Sequence, residues 1–289
     1  MPSMSSRRRF LSGVIPSAML GGASPAFAAS TEMVSRKRSP RVTRVTVELP
    51  HLPEAMDGFR IAQISDLHLE PFTTAEEIQS TIDVCNALAP DLVAMTGDFV
   101  TNTARPAGLL AELLMQLQPP CGVFACLGNH DFWCDAPAVE KALKERGIGV
   151  LRDEMRRIHT AGGVLQVAGM DSRYIGEPKL KRTLSEWKPK QPLVMLMHEP
   201  DVADDLAAAG VETLQLSGHT HGGQIRLMGL PPFRARFRRA RWGFKYIAGR
   251  YTVGPVQLYV NRGIGCVGLP LRVFCPPEVT EITPRSTLV

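Results

Sequence analysis

A chain of 289 residues, 44% hydrophobic and 21% charged, can bury a sizeable core and sits within the single-domain range for α/β proteins. The formal charge of +5 falls to +2 once residues 1–28 are set aside, because they hold three arginines and no acids and leave 30 basic against 28 acidic residues. A global nucleic-acid-binding charge is thereby excluded, and no nucleic-acid partner is expected.

The N-terminus reads Ser6-Arg7-Arg8-Arg9-Phe10-Leu11, then a weakly apolar stretch broken by Gly13, Pro16, Gly21 and Gly22, then Ala26-Phe27-Ala28. A charged start, a short apolar region and an A-x-A site predict a signal peptide over residues 1–28. The paired arginines before Phe-Leu resemble a twin-arginine signal, an address read by the twin-arginine export machinery. The expected location is therefore the periplasm or the outer face of the cytoplasmic membrane. No later segment reaches the ~18 uninterrupted apolar residues of a membrane helix. Residues 29–42 are polar, basic and without period, which predicts a flexible linker ahead of a catalytic domain over 43–289. Six cysteines would permit disulfides in an oxidising compartment, but Cys85, Cys121, Cys126 and Cys266 lie in apolar runs that fit buried thiols. None has the CxxC spacing of a zinc or redox site.

From Val42 onward short apolar runs alternate with longer amphipathic ones. Strands are predicted over Phe59–Ser65, Asp91–Thr96, Val123–Leu127, Val164–Gly169, Leu193–Met197 and Thr213–Leu216. Helices are predicted near 75–88, 106–117, 136–146 and 200–209, and the alternation argues a layered α/β sandwich. After Gly222 the chain turns to Gly, Pro and Arg with brief strands such as Gln257–Val260, which predicts a loop-rich, antiparallel tail.

Most of these strands run into a polar cluster. Ser65 leads into Asp66-Leu67-His68, Thr96 into Gly97-Asp98, Leu127 into Gly128-Asn129-His130-Asp131, Met197 into His198-Glu199, and Leu216 into Ser217-Gly218-His219-Thr220-His221. Ligands gather outside the carboxyl ends of strands in layered α/β folds, so five strand ends are expected to meet at one place. Five of the seven histidines stand there beside carboxylates and a carboxamide, with no thiolate, a donor set suited to Mn, Fe or Zn. The glycines before Asp98, Asn129 and His219 are expected to turn the backbone sharply. Asp66 and Asp98 also fit helix N-caps, and a lone His198 fits an ordinary strand-end residue.

DxH, GD, GNHD, a lone His after an apolar strand, and GHTH, in that order, resemble the signature of calcineurin-like metallophosphoesterases. The tail, GHTHGGQIR followed by Tyr259–Pro270 and Pro276-Pro277-Glu278, further resembles that superfamily's exported or membrane-associated bacterial branch, and the similarity runs from about Val45 to Thr283. The resemblance implies a four-layer α/β sandwich, two mixed β-sheets flanked by helices, with a binuclear metal site at the strand ends. It implies one metal on Asp66, His68, Asp98 and His221 and a second on Asp98, Asn129, His198 and His219, with Asp98 bridging. The two ions would be divalent or of mixed valence, ~3.5–4 Å apart, and would activate a bridging hydroxide against a phosphoester substrate. His130 would protonate the leaving oxygen or stabilise the charged transition state, and Asp131 would orient its imidazole.

His51 and His159 match no motif and are expected at the surface, while Asn261 and Arg262 are expected to be structural. Phe233–Trp242 holds five arginines, Arg234, Arg236, Arg238, Arg239 and Arg241, interleaved with aromatics. Such a segment fits a solvated loop, or else a patch for phosphate groups or peripheral contact with an anionic membrane surface. The substrate expected first is a phosphodiester or pyrophosphate on a lipid, of the UDP-diacylglucosamine type, ahead of a soluble phosphomonoester. The rival from another class is a catalytically silent metal-binding interaction module, which could discard His130 or the bridging ligand, yet both are present.

Overall fold

The computed structural model describes residues 34–35, 39–226 and 245–286. The expected signal peptide, most of the expected linker and the arginine segment lie outside the described residues. In chain order the strands are β1 (Val34–Ser35), β2 (Arg41–Leu49), β3 (Ile61–Ile64), β4 (Leu92–Thr96), β5 (Val123–Cys126), β6 (Gly149–Val150) and β7 (Glu154–Thr160). They continue with β8 (Gly163–Gly169), β9 (Leu193–Leu196), β10 (Thr213–Ser217), β11 (Gly249–Val253), β12 (Val256–Val260), β13 (Arg272–Val273) and β14 (Glu278–Ser286). Helices Ala75–Ala87, Ala107–Leu114, Ala136–Lys144 and Val202–Ala208 fall where the periodicity predicts them.

Two six-stranded mixed sheets form the body, with strand orders β2-β14-β3-β4-β5-β6 and β11-β12-β10-β9-β8-β7. In the first sheet β3, β4, β5 and β6 run parallel. In the second, β8, β9, β10 and β12 run parallel. The unbroken apolar runs are explained by burial on both faces. In β4, Leu92 and Ala94 pack between the sheets against Val194, Leu196, Leu214 and Leu216. Val93 and Met95 point the other way, onto Ile78, Ile82, Leu110 and Leu143 of the covering helices. Met195, Val256 and Leu258 meet Val202 and Leu206 on the far side. Helix, sheet, sheet and helix thus make the four layers, and each fully buried Leu, Ile or Val contributes about 1.5–3 kcal/mol.

Two expectations are corrected. The tail is antiparallel only in part: β11 pairs antiparallel with β12 and β14 with β3, but β12 runs parallel to β10 and β14 parallel to β2, so the tail extends both sheets instead of forming an appendage. Pro284 hides β14 from a sequence reading, because proline removes a ladder donor. It stands where this costs little, since β14 meets β3 only at Thr280–Ile282 and has β2 alone beyond. The strand β2 begins at Arg41, so regular structure starts before position 43 and takes in the end of the expected linker. All six cysteines are free thiols, and Cys85, Cys126 and Cys275 are buried. Among the described residues no helix is long and apolar enough to cross a membrane.

Candidate metal centre

The carboxyl ends of β3, β4 and β5 in one sheet and of β9 and β10 in the other bring the polar clusters together. Asp66, His68, Asp98 and His221 place donor atoms within 4.8 Å of one another, and Asp98, His198 and His219 do the same, so Asp98 belongs to both groups. Asn129 joins the second group, its Oδ1 lying 2.9 Å from His219 Nδ1. All seven expected ligands therefore meet, divided as the resemblance implies. Neither Asp66 nor Asp98 caps a helix; the carboxylates face the cluster instead.

Local backbone geometry shows why the residues converge. Asp66, His68, Asp98, His219 and His221 have φ of 51°, 46°, 56°, 70° and 49°. Side-chain-bearing residues enter this region at a cost of about 1–3 kcal/mol, which the surrounding structure must offset. The offset is visible in backbone bonds, with Asp66 N donating to Gly97 O at 2.9 Å and His68 N to Asp98 O at 3.0 Å. Of the three glycines expected to turn sharply, only Gly97 has positive φ, at +85°. Gly128 and Gly218 are required for room, since a Cβ at Gly128 would strike Asp98 Oδ1 and one at Gly218 would strike Ser65 Oγ and Asp66 Oδ2.

The donor chemistry fits a cation. His198 Nδ1 lies 2.6 Å from Thr96 O. A carbonyl only accepts, so that nitrogen carries a hydrogen and Nε2 is left facing Asp98 Oδ2, 3.1 Å away. His221 Nδ1 faces Gly265 O at 3.3 Å, which leaves its Nε2 3.4 Å from Asp66 Oδ1 and 3.2 Å from His68 Nε2. Acceptors this close repel unless a proton or a metal ion lies between them. Burial opposes charging His198, but the neighbouring Asp98 carboxylate overrides it and raises its proton affinity well above the ordinary value. His221 goes the other way, pushed well below its usual range by burial and by the charges of His68 and Arg272. Burial and the His198 charge push His219 down to about 3. A metal cation satisfies both kinds of histidine, and donors ~2.0–2.2 Å from zinc at tetrahedral or octahedral angles stand about 3–3.5 Å apart, as these do.

His130 lies at the rim, half-buried. Its N–H donates to Asp98 Oδ1 at 2.8 Å, and its Nδ1 lies 2.7 Å from Thr101 O. The carbonyl fixes the hydrogen on Nδ1 and leaves Nε2 to take up or release a proton. The ring stands edge-on to His68 at 4.8 Å and to the 58%-exposed Trp133 at 4.7 Å. The expectation that Asp131 orients this imidazole is corrected. Asp131 Oδ1 accepts from Phe99 N at 2.8 Å and Val100 N at 3.2 Å, while Oδ2 accepts from Gly128 N at 2.9 Å and Asp98 N at 3.0 Å. Its work is to lock the two ligand loops together, and Thr101 O orients the ring.

Asp131→Asn would set an amide NH2 against two of those N–H donors. With each charge-assisted bond contributing about 1.5–3 kcal/mol, the substitution should cost on the order of 3 kcal/mol. A fall in the urea midpoint reads this effect; an unchanged midpoint would return Asp131 to a purely chemical role.

Sequence reasoning missed Thr96 and Thr101, which act through main-chain carbonyls, and Tyr174, whose ring packs on His219 at 4.8 Å. Backbone acceptors leave no signature in side-chain patterns. His159 is exposed and His51 pairs with Glu212 at 2.7 Å, both outside the site. Asn261 is structural as expected: it is buried and donates to Thr280 Oγ1 at 2.9 Å.

Donors of this kind, gathered where two sheets end, define a metal-dependent hydrolase. The pattern of the calcineurin-like phosphoesterases matches residues 59–223. The uncharacterized metallophosphoesterase YkuE of Bacillus subtilis is 35% identical over 286 residues, 98% of this chain and 98% of that protein. An uncharacterized metallophosphoesterase of Aquifex aeolicus is 31% identical over 247 residues, covering 84% of this chain and 91% of its own. The phosphodiesterase YaeI of Escherichia coli is 31% identical over 230 residues, 78% of this chain and 81% of that protein. This chain belongs to the calcineurin-like phosphoesterase family and is a metal-dependent phosphoester hydrolase.

Proposed function

We propose that the chain is an exported binuclear phosphoesterase acting on a phosphodiester or pyrophosphate, with a lipid-linked substrate of the UDP-diacylglucosamine type as the first candidate. The observation that carries the binuclear reading is the sharing of Asp98 between the two donor groups. Asp66, His68, Asp98 and His221 would hold one ion, and Asp98, Asn129, His198 and His219 the other, with Mn, Fe or Zn suited to these donors. Two ions supply Lewis acidity toward the phosphoryl group and an activated water near neutral pH. The chain's own residues do the rest. Asp98 balances positive charge between the two positions, Thr96 O and Gly265 O orient the imidazoles of His198 and His221, and His130 Nε2 delivers a proton to the departing oxygen.

Support for a diester comes from the Escherichia coli relative YaeI, which is named a phosphodiesterase. A lipid-borne substrate is supported by the arginine and aromatic residues of Phe233–Trp242, which follow the GHTH ligands in sequence. The purified chain is tested on matched mono-, di- and pyrophosphate esters, free and in anionic vesicles. Turnover is expected to favour diester or pyrophosphate, and joint replacement of Arg236, Arg238 and Arg239 by Gln should lower it on vesicles while sparing a small aryl phosphate. Preference for a free monoester makes the chain a soluble phosphomonoesterase, and equal losses on both forms remove the membrane role.

The Arg7-Arg8-Arg9-Phe10-Leu11 context supports export by the twin-arginine route with removal of residues 1–28, the remainder acting in the periplasm or on the outer face of the cytoplasmic membrane. A site built from five strand ends exists only once the chain has folded, and a folded-state exporter allows metal to be loaded first. Changing Arg7 and Arg8 together to Lys should retain the uncleaved chain in the cytoplasm; normal export of the double variant would remove this route.

A further inference from the structure

Arg272 is a buried cation, 5% exposed, none of whose partners among the described residues is a carboxylate. Its guanidinium donates through Nε to Gly265 O at 3.0 Å and through Nη1 to Arg262 O at 2.9 Å, His221 O at 3.3 Å and Cys275 O at 3.4 Å. Its Nη2 also donates to Gly265 O and lies 3.2 Å from His221 Nδ1. Burying an unpaired charge costs several kcal/mol even after relaxation, so a site that keeps one uses it.

The segments Arg272 clamps are those that shape one ligand group. Gly265 O and Arg272 Nη2 both meet His221 Nδ1, at 3.3 and 3.2 Å, so the guanidinium and the carbonyl it holds fix the ring and leave Nε2 facing the cluster. The clamped loop is also pressed against two of the other three ligands of the group, Asp66 and His68. Ile264 N donates to Ser65 O at 3.0 Å and Gly265 N to Asp66 O at 2.7 Å. A Cβ on Gly263 would lie 2.7 Å from Asp66 Cβ, and one on Gly265 would lie 2.8 Å from His68 Cβ. The clamp touches no side chain of the other group directly: His198 is held by Thr96 O, and His219 meets the clamped group only through its N–H, which donates to the Asp66 carboxylate. We infer that Arg272 is a positioning residue for one metal position alone, that of Asp66, His68, Asp98 and His221, which it builds by locking the 262–265 loop onto the His221 turn.

This inference rests on the two-metal reading above, and metal binding by the full mature chain tests the two separately. Loss of a support behind a ligating histidine typically costs about 10–100-fold in metal affinity. In Mn(II) titrations followed by calorimetry, the wild type should take two ions, and Arg272→Gln should retain one with unchanged affinity while the other weakens by that factor. Adding Arg272→Gln to His219→Ala, which removes a ligand of the opposite position, should weaken the ion that remains. Arg272→Lys keeps the charge without the fork and should recover part of the lost affinity; it carries the test if the Gln variant does not fold. Two ions bound with wild-type affinity by Arg272→Gln, or equal weakening of both, would overturn the assignment while leaving the two-metal reading intact. A wild-type chain that takes fewer than two ions would overturn both.

Discussion

Asp98→Asn is expected to lose both metal occupancy and turnover, the largest effect of any single substitution in the site. Asp98 Oδ2 lies 3.1 Å from His198 Nε2 and 3.4 Å from His68 Nε2, so one oxygen faces a histidine of each donor group. Burial works against an ionised carboxyl there, but the His198 charge and the hydrogen bonds from His198 and His68 hold it well below the usual carboxylate range. Asparagine keeps the shape and one acceptor while deleting the negative charge between the two proposed metal positions. The loss should exceed the roughly 10–100-fold that follows removal of a mere support behind a ligand. Elemental analysis should find less than one ion per chain. Two ions retained with full turnover would remove Asp98 from the bridging role.

His130→Asn should behave in the opposite way, keeping metal and losing rate. No donor atom of His130 joins either cluster, and its Nδ1 is taken by Thr101 O, so the side chain can change without emptying the site. Loss of acid catalysis should lower kcat by about 10²-fold or more, within the range for such groups. The defect should shrink for a nitrophenolate leaving group, which hardly needs a proton, and grow for an alkoxide. Measuring kcat across leaving groups of differing pKa separates the roles. A defect equal for all of them assigns His130 to stabilising the phosphoryl oxygens, and an emptied site assigns it to ligation.

The strand ends and the cluster of candidate ligands were legible because ligation demands particular side chains, and DxH, GD, GNHD and GHTH place them at fixed steps after apolar runs. The covering helices were legible from period alone. What stayed hidden depends on the main chain or on distant pairing. Asp131 sits beside His130 in sequence yet serves four N–H groups drawn from two loops, because a side chain at the third position of the Asn129–Cys134 helix turns back toward its start and the neighbouring Asp98 loop. Gly128 and Gly218 read as turns but are gaps left for carboxylates. The strand β14 carries a proline and the charged Glu278, Glu281 and Arg285, and only its place between β2 and β3, which come from the other end of the chain, makes it a strand of the sheet. Arg272 had no motif at all, since its partners are carbonyls.

Metal titration of the chelator-treated mature chain, followed by hydrolysis of bis(4-nitrophenyl) phosphate, tests the proposed two-metal site directly. Turnover should vanish on chelation and return on adding Mn(II), reaching its plateau at two equivalents per chain. Full turnover without metal, or a plateau at one equivalent that the second leaves unchanged, would contradict a two-metal site centred on Asp98.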